Sequence, residues 1–121
     1  MITLTPEEIG QFRTQLVNNQ QALTALDTIA ECEGYVEDAV PLLLIREGNE
    51  PVRGVNDWLE KCREFVCLEE VREALGSGIL APAIEAIAIG AAIPPGLATA
   101  LSICVFKLGT KRFCGVNKPD N

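Results

Sequence analysis

Residues 79–106 read ILAPAIEAIAIGAAIPPGLATALSICVF, and this stretch decides the fold. Its 28 residues contain a single charge, Glu85. A helix that is apolar all round lies at the centre of a helical bundle or in a membrane. Pro94, Pro95 and Gly96 divide the stretch into arms of about 15 and 12 residues, whereas a membrane span needs about 20. The sequence therefore predicts a central helical hairpin in a soluble bundle, with membrane insertion of residues 79–106 as the alternative.

The preceding residues, 1–76, show the pattern of short amphipathic helices. Thr5, Pro6 and Glu8 form a capping box with proline at the first helical position, which predicts the start of a helix. Apolar residues at intervals of three and four predict further helices over 20–33, over 36–46, from Val55 onwards and over 68–75, joined in part by a surface connection over 48–54. We therefore expect a single all-α domain over 1–121, built from about six short helices.

Three single residues add detail to these helices. Gly34 is expected to end the second helix in a left-handed conformation. Pro41 lies about one turn into the third helix, so that helix is expected to start late or to kink. Trp58, the only tryptophan, falls on the apolar stripe of the fourth helix and is predicted to be buried.

The charge is acidic overall and unevenly distributed. The net charge of −7 repels phosphate backbones, which argues against nucleic acid as a partner. Residues 1–76 carry 15 acidic and 6 basic residues, a net −9, whereas 77–121, the hairpin and its basic tail, carry 2 acidic and 4 basic residues, a net +2. The two parts of the chain therefore carry net charges of opposite sign.

The sequence lacks histidine and the common catalytic motifs. There is no histidine, which removes the commonest general base and the commonest zinc ligand. No glycine-rich phosphate loop, nucleophile elbow or CxxC pair occurs, and each pair of neighbouring carboxylates opens a predicted helix, where acids stabilise the amino terminus. We therefore expect a protein that is not an enzyme, with no cofactor and no metal site.

Five cysteines, an odd number, occur at positions 32, 62, 67, 104 and 114. No basic and apolar leader stands at the amino terminus, so the chain is expected to be cytosolic with reduced thiols. Because free cysteine is among the most buried residue types, these thiols are expected to pack in the core as small apolar groups. A redox or metal-binding role is the alternative.

One segment resembles a known family. Gly34, Val36, Glu37, Ala39 and Val40, followed by Leu43 and Leu44, match the G-[ND]-V-E-x-A-V-x-x-L-L pattern of ubiquitin-associated-like (UBA-like) three-helix modules. The resemblance covers residues 5–46 and implies a small helical interaction unit. The whole chain is also similar, in architecture alone, to bacterial death-like and effector-associated helical adaptor domains, which implies a role in bacterial signalling or defence.

These observations predict a non-catalytic adaptor that binds another protein, with a second copy of this chain as one candidate partner. Acidic and basic residues at opposite ends of the molecule are expected to form the contact surface, since unlike ends can meet head to tail. The candidate partner-binding residues are Glu31, Glu33, Tyr35, Glu37 and Asp38 on the acidic side, and Lys107, Lys111 and Arg112 on the basic side.

Overall fold

The computed structural model describes residues 2–48 and 54–115, in which the chain forms eight helices and no strand. The all-α prediction is therefore confirmed, and the expected count of about six short helices is roughly consistent with it. The predicted connection over 48–54 lies for the most part outside the described residues. The helices are α1 (Pro6–Gln15), α2 (Gln20–Glu31), α3 (Val36–Arg46), α4 (Val55–Val66), α5 (Glu69–Gly76), α6 (Ala81–Gly90), α7 (Pro95–Leu108) and α8 (Thr110–Cys114).

Helix α7 is the centre of the fold. All its residues from Gly96 to Val105 are buried, and it contacts α2, α3, α4, α5, α6 and α8. The second arm of the predicted hairpin is thus central, and the first arm, α6, packs against it but is buried on one side only. Helix α6 packs on α7 with one face and leaves Ile89 on the other face 76% exposed. Within the described residues, no helix combines the length and the apolar character needed to cross a membrane.

Several local signals act as the sequence predicts. The Thr5 hydroxyl accepts a hydrogen bond from the amide of Glu8 at 3.1 Å, and the Glu8 carboxylate accepts one from the amide of Thr5 at 2.9 Å. Two amides at the start of α1 that lack helical partners are thereby satisfied. Helix α3 runs from Val36 to Arg46 through Pro41, so it does not start late, the first of the two effects expected of that proline.

Helix α4 is less buried along its stripe than the spacing predicts. Leu59, Cys62 and Val66 are buried, whereas Trp58 is only partly buried against the core. The Lys61 ammonium lies 5.4 Å from the centroid of the Trp58 ring, a cation–π contact. Trp58 therefore lies at the edge of the core, and it is partly buried where the sequence predicts a buried residue.

The residues before α1 pair with the α2–α3 turn. The amide of Leu4 donates to the Gly34 carbonyl at 2.8 Å, and the amide of Val36 donates to the Ile2 carbonyl at 3.1 Å. Helix α2 ends at Glu31, and Gly34 follows it with the predicted left-handed conformation, at a φ of +87°, directly after Glu33 at +59°. A Cβ at Gly34 would lie 2.2 Å from the Leu4 carbonyl oxygen, so glycine is needed both for its conformation and for the close approach.

We expect Gly34→Ala to lower the free energy of unfolding by about 2–3 kcal/mol, because alanine is strained at positive φ and collides with Leu4. Gly48→Ala is the matched control, since Gly48 has a φ of +81° and nothing within 4 Å of an added Cβ. Strain alone should cost that control about 1–2 kcal/mol. Urea denaturation measures both variants, and equal losses would show that the contact with Leu4 is unimportant.

Glu47 connects the end of α3 to the start of α7. The amide of Gly96, in the first turn of α7, donates to the Glu47 carboxylate at 3.2 Å. A carboxylate in this position accepts a hydrogen bond from an amide that lacks a helical partner. Its negative charge is also stabilised by the positive end of the helix dipole. Burial raises the pKa of Glu47 despite the backbone hydrogen bonds from Gly96 and Leu97. This contact fixes where the central helix begins.

A disulfide joins Cys67, which follows α4, to Cys114 at the end of α8, with the Cα atoms 5.6 Å apart. The prediction that all thiols are reduced is therefore wrong for these two. The spacing of the cysteines along the sequence does not indicate this pairing, which spans 47 positions. Arg63 also holds α8, by a hydrogen bond to the Phe113 carbonyl and by its guanidinium 4.2 Å from the Phe113 ring. A helix of five residues depends on such contacts, because it is too short to be stable alone.

Candidate functional site

The structure brings the predicted acidic residues together at the α2–α3 turn. Two of them are engaged within the molecule. Glu31 pairs with Arg46 at 2.9 Å, and the half-buried Glu37 accepts a hydrogen bond from the amide of Ile2 at 3.0 Å. The remaining members of the group are exposed: Glu33, Tyr35 and Asp38.

The predicted basic residues lie in two places. The Lys107 ammonium pairs with the Glu8 carboxylate at 2.8 Å, which lowers the pKa of Glu8 and ties the end of α7 to α1. Lys111 and Arg112 are exposed on α8. Lys107 therefore forms an ion pair within the molecule. The other two basic residues, Lys111 and Arg112, are exposed.

Cys62 and Cys104 are buried thiols, and burial raises the pKa of each to about 12. The negative charge of Glu37 adds to the effect at Cys104. At neutral pH such thiols are protonated and are poor nucleophiles. Cys32 is partly exposed, and burial followed by the charge of Asp38 raises its pKa as well. In the described part of the chain, no three acidic, cysteine or histidine residues are grouped as a metal site requires.

A hollow of about 440 Å³ lies between the residues before α1, α1 itself and the end of α2. Arg13 and Glu33 stand at its border, and Arg13 pairs with Asp27 at 2.5 Å. The lining of this hollow is mostly apolar, but its large apolar side chains, Leu4 and Ile9, are buried in the core. It therefore presents no exposed large apolar side chain to a partner protein.

A second hollow exposes apolar side chains to solvent and was not predicted from the sequence. We call it the α6 groove, a volume of about 430 Å³ between the end of α4, α5 and the outer face of α6. Leu68 is 52% exposed and Ile89 is 76% exposed, so the walls of the groove are open to a partner. Its apolar lining consists of Phe65, Leu68, Val71, Pro82, Ala86 and Ile89.

The end of the α6 groove depends on Gly90. A Cβ at this position would lie 2.5 Å from the Phe65 ring, so only glycine lets the ring lie directly against the last turn of α6. Phe65 lies near the end of α4 and Gly90 is the last residue of α6, and their separation in the sequence gives no sign of this contact. The signal for the groove is the apolar outer face of α6, which has no helix over it in the described structure.

The rim of the α6 groove is acidic. Glu70 from α5 and Glu85 from α6 line it, and no lysine or arginine in the described chain does so. Among the described residues, neither carboxylate forms an ion pair.

Glu85 and Ile89 also line a smaller hollow of about 360 Å³ on the opposite side of α6. The outer face of α6 is thus an apolar ridge with a groove on each side and a negative charge on the ridge.

Comparison of the chain with protein-family models, curated proteins and solved structures finds no match.

Proposed function

We propose that this chain is a non-catalytic interaction module that binds another protein through the α6 groove. The observation that carries the proposal is the open apolar wall formed by Leu68 and Ile89 next to unpaired carboxylates. Contiguous exposed apolar surface with a polar rim is typical of a protein-binding site. The similarity of residues 5–46 to UBA-like modules agrees with this class of function, as does the architectural similarity to helical adaptors in bacterial signalling and defence.

We also propose that the protein is located in an oxidising compartment. Disulfides persist in such compartments and are reduced in the cytosol. The pairing of Cys67 with Cys114 supports an oxidising environment over the cytosol expected from the sequence.

The alternative function, membrane insertion of residues 79–106, receives less support. Helix α7 is buried on all sides from Gly96 to Val105, so inserting it would expose the apolar faces of the helices around it. Glu85 would also have to enter the bilayer, which is costly for a carboxylate. The apolar outer face of α6 is the one feature that favours contact with lipid.

The test places a charge on the ridge. The tagged full chain is purified under native conditions from its own cells, and proteins captured by wild type, Ile89→Asp and Val17→Asp are compared. Val17 is the matched control, because it is 62% exposed and lies outside the groove. We expect Ile89→Asp to reduce the captured partner at least tenfold, as truncation of a central interface residue does, and Val17→Asp to retain it.

Circular dichroism and thermal melting show whether both variants are folded. A partner captured equally by both variants, or the absence of any specific partner, would contradict the proposal. Sedimentation of the chain with vesicles of zwitterionic and of anionic lipid tests the alternative. Binding to vesicles that Ile89→Asp abolishes, with no protein captured, would replace the proposed function by a membrane role.

A further inference from the structure

Building on the proposed function, we infer that the partner of the α6 groove is an amphipathic helix whose apolar stripe is bordered by lysine or arginine. The shape, backbone chemistry and charge of the groove each contribute to this inference.

The walls of the groove are helices, which determines the backbone conformation of the partner. Helices α5 and α6 use their backbone amides and carbonyls internally, apart from those at their ends. In the described residues, the one strand-like pairing is the bridge between Thr3 and Tyr35, and it lies outside the groove. An extended peptide would therefore find no sheet edge to join, whereas a helix satisfies its own backbone groups.

The volume and lining of the groove suit the apolar side chains of such a helix. About 430 Å³ is within the range of pockets that accept sizeable ligands. Side chains at i, i+3, i+4 and i+7 of an amphipathic helix project from one face and enter a groove of this kind. Leu68 and Ile89 stand on its two walls, so an inserted apolar side chain would remove both from water.

The acidic rim determines the charge of the partner. Glu70 and Glu85 would attract basic residues beside the apolar stripe and repel acidic ones. A twofold dimer of this chain through the groove is disfavoured on the same ground. In a twofold interface the same patch meets itself, which would bring both carboxylates of one molecule against those of the other. The net charge of −7 adds to that repulsion.

The test uses two synthetic helical peptides of about four turns. Both carry leucine at i, i+3, i+4 and i+7; one has lysine on both sides of the stripe and the other has glutamate. Fluorescence anisotropy measures their binding to the full chain. We expect the lysine peptide to bind about tenfold more tightly than the glutamate peptide, with the difference shrinking as salt is raised.

Two charge-reversed variants locate the effect. Glu70→Lys combined with Glu85→Lys should reverse the preference between the peptides. Glu33→Lys combined with Asp38→Lys, two exposed acids at the α2–α3 turn, makes the same change in net charge outside the groove and should leave the preference intact. Equal effects of the two double variants would overturn the inference, since the preference would then report net charge alone.

Ile89→Asp separates this inference from the proposed function. It should abolish binding of the lysine peptide while the chain stays folded. If wild type binds neither peptide but still captures a native protein that Ile89→Asp loses, the inference about the partner's chemistry is wrong and the interaction function stands. If capture of native protein does not depend on Ile89, the proposed function fails whatever the peptides do.

Discussion

Replacing Cys67 and Cys114 together by serine is expected to lower the free energy of unfolding by about 4 kcal/mol. The disulfide closes a loop with a sequence separation of 47, and the chain-entropy relation gives about that stabilisation for a loop of this length. Both cysteines are replaced because a single change would leave a reactive thiol. Since native small domains are stable by only 5–15 kcal/mol, the loss is a large fraction of the total.

Urea denaturation of the oxidised chain, followed by circular dichroism, measures this loss. Wild type treated with dithiothreitol should unfold at about the same urea concentration as the double variant. Cys32→Ser is the control, because Cys32 is a partly exposed free thiol, and it should change stability little. A reduced wild type as stable as the oxidised one would mean that the contacts of Arg63 with Phe113 hold α8 without the covalent bond.

Leu101→Ala is expected to destabilise the fold by about 2–5 kcal/mol. Leu101 is fully buried on α7, the helix that most others contact, and truncating it removes apolar contacts and leaves a cavity. The same substitution at Leu108, the last residue of α7, is the matched control, because Leu108 is 38% exposed. It should cost less than half as much.

Urea denaturation of both variants provides the comparison. The slope of the free energy of unfolding against urea concentration shows whether the two unfolded states are alike. If Leu101→Ala and Leu108→Ala were equally destabilising, α7 would not be the centre of the core. The test also measures part of the free energy that releasing α7 from the core for membrane insertion would cost.

Sequence reasoning succeeds where the cause is local. The capping box at Thr5, the left-handed Gly34 and the proline pair at the start of α7 each depend on neighbours a few residues away, and the structure has all three as predicted. The acidic turn from Glu31 to Asp38 was also found in this way, because its members share two adjacent helix ends.

The features that sequence reasoning missed depend on contacts between distant residues. Glu47 meets Gly96 across 49 positions, and Cys67 meets Cys114 across 47. The α6 groove exists because Phe65 lies against Gly90 while nothing in the described chain packs over Ile89. Periodicity identifies an apolar face, but it does not say whether another helix will cover that face.

The disulfide also changes the topology of the chain. Cys67 and Cys114 close a covalent ring that contains α5, α6, α7 and α8. A single cleavage of the backbone inside this ring opens it without releasing a fragment, so the central helix stays attached to α4. One proteolytic cut there would leave the mass on a non-reducing gel unchanged, and separation of the pieces would require reduction. The bond thus makes the core of this small domain tolerant of a nick.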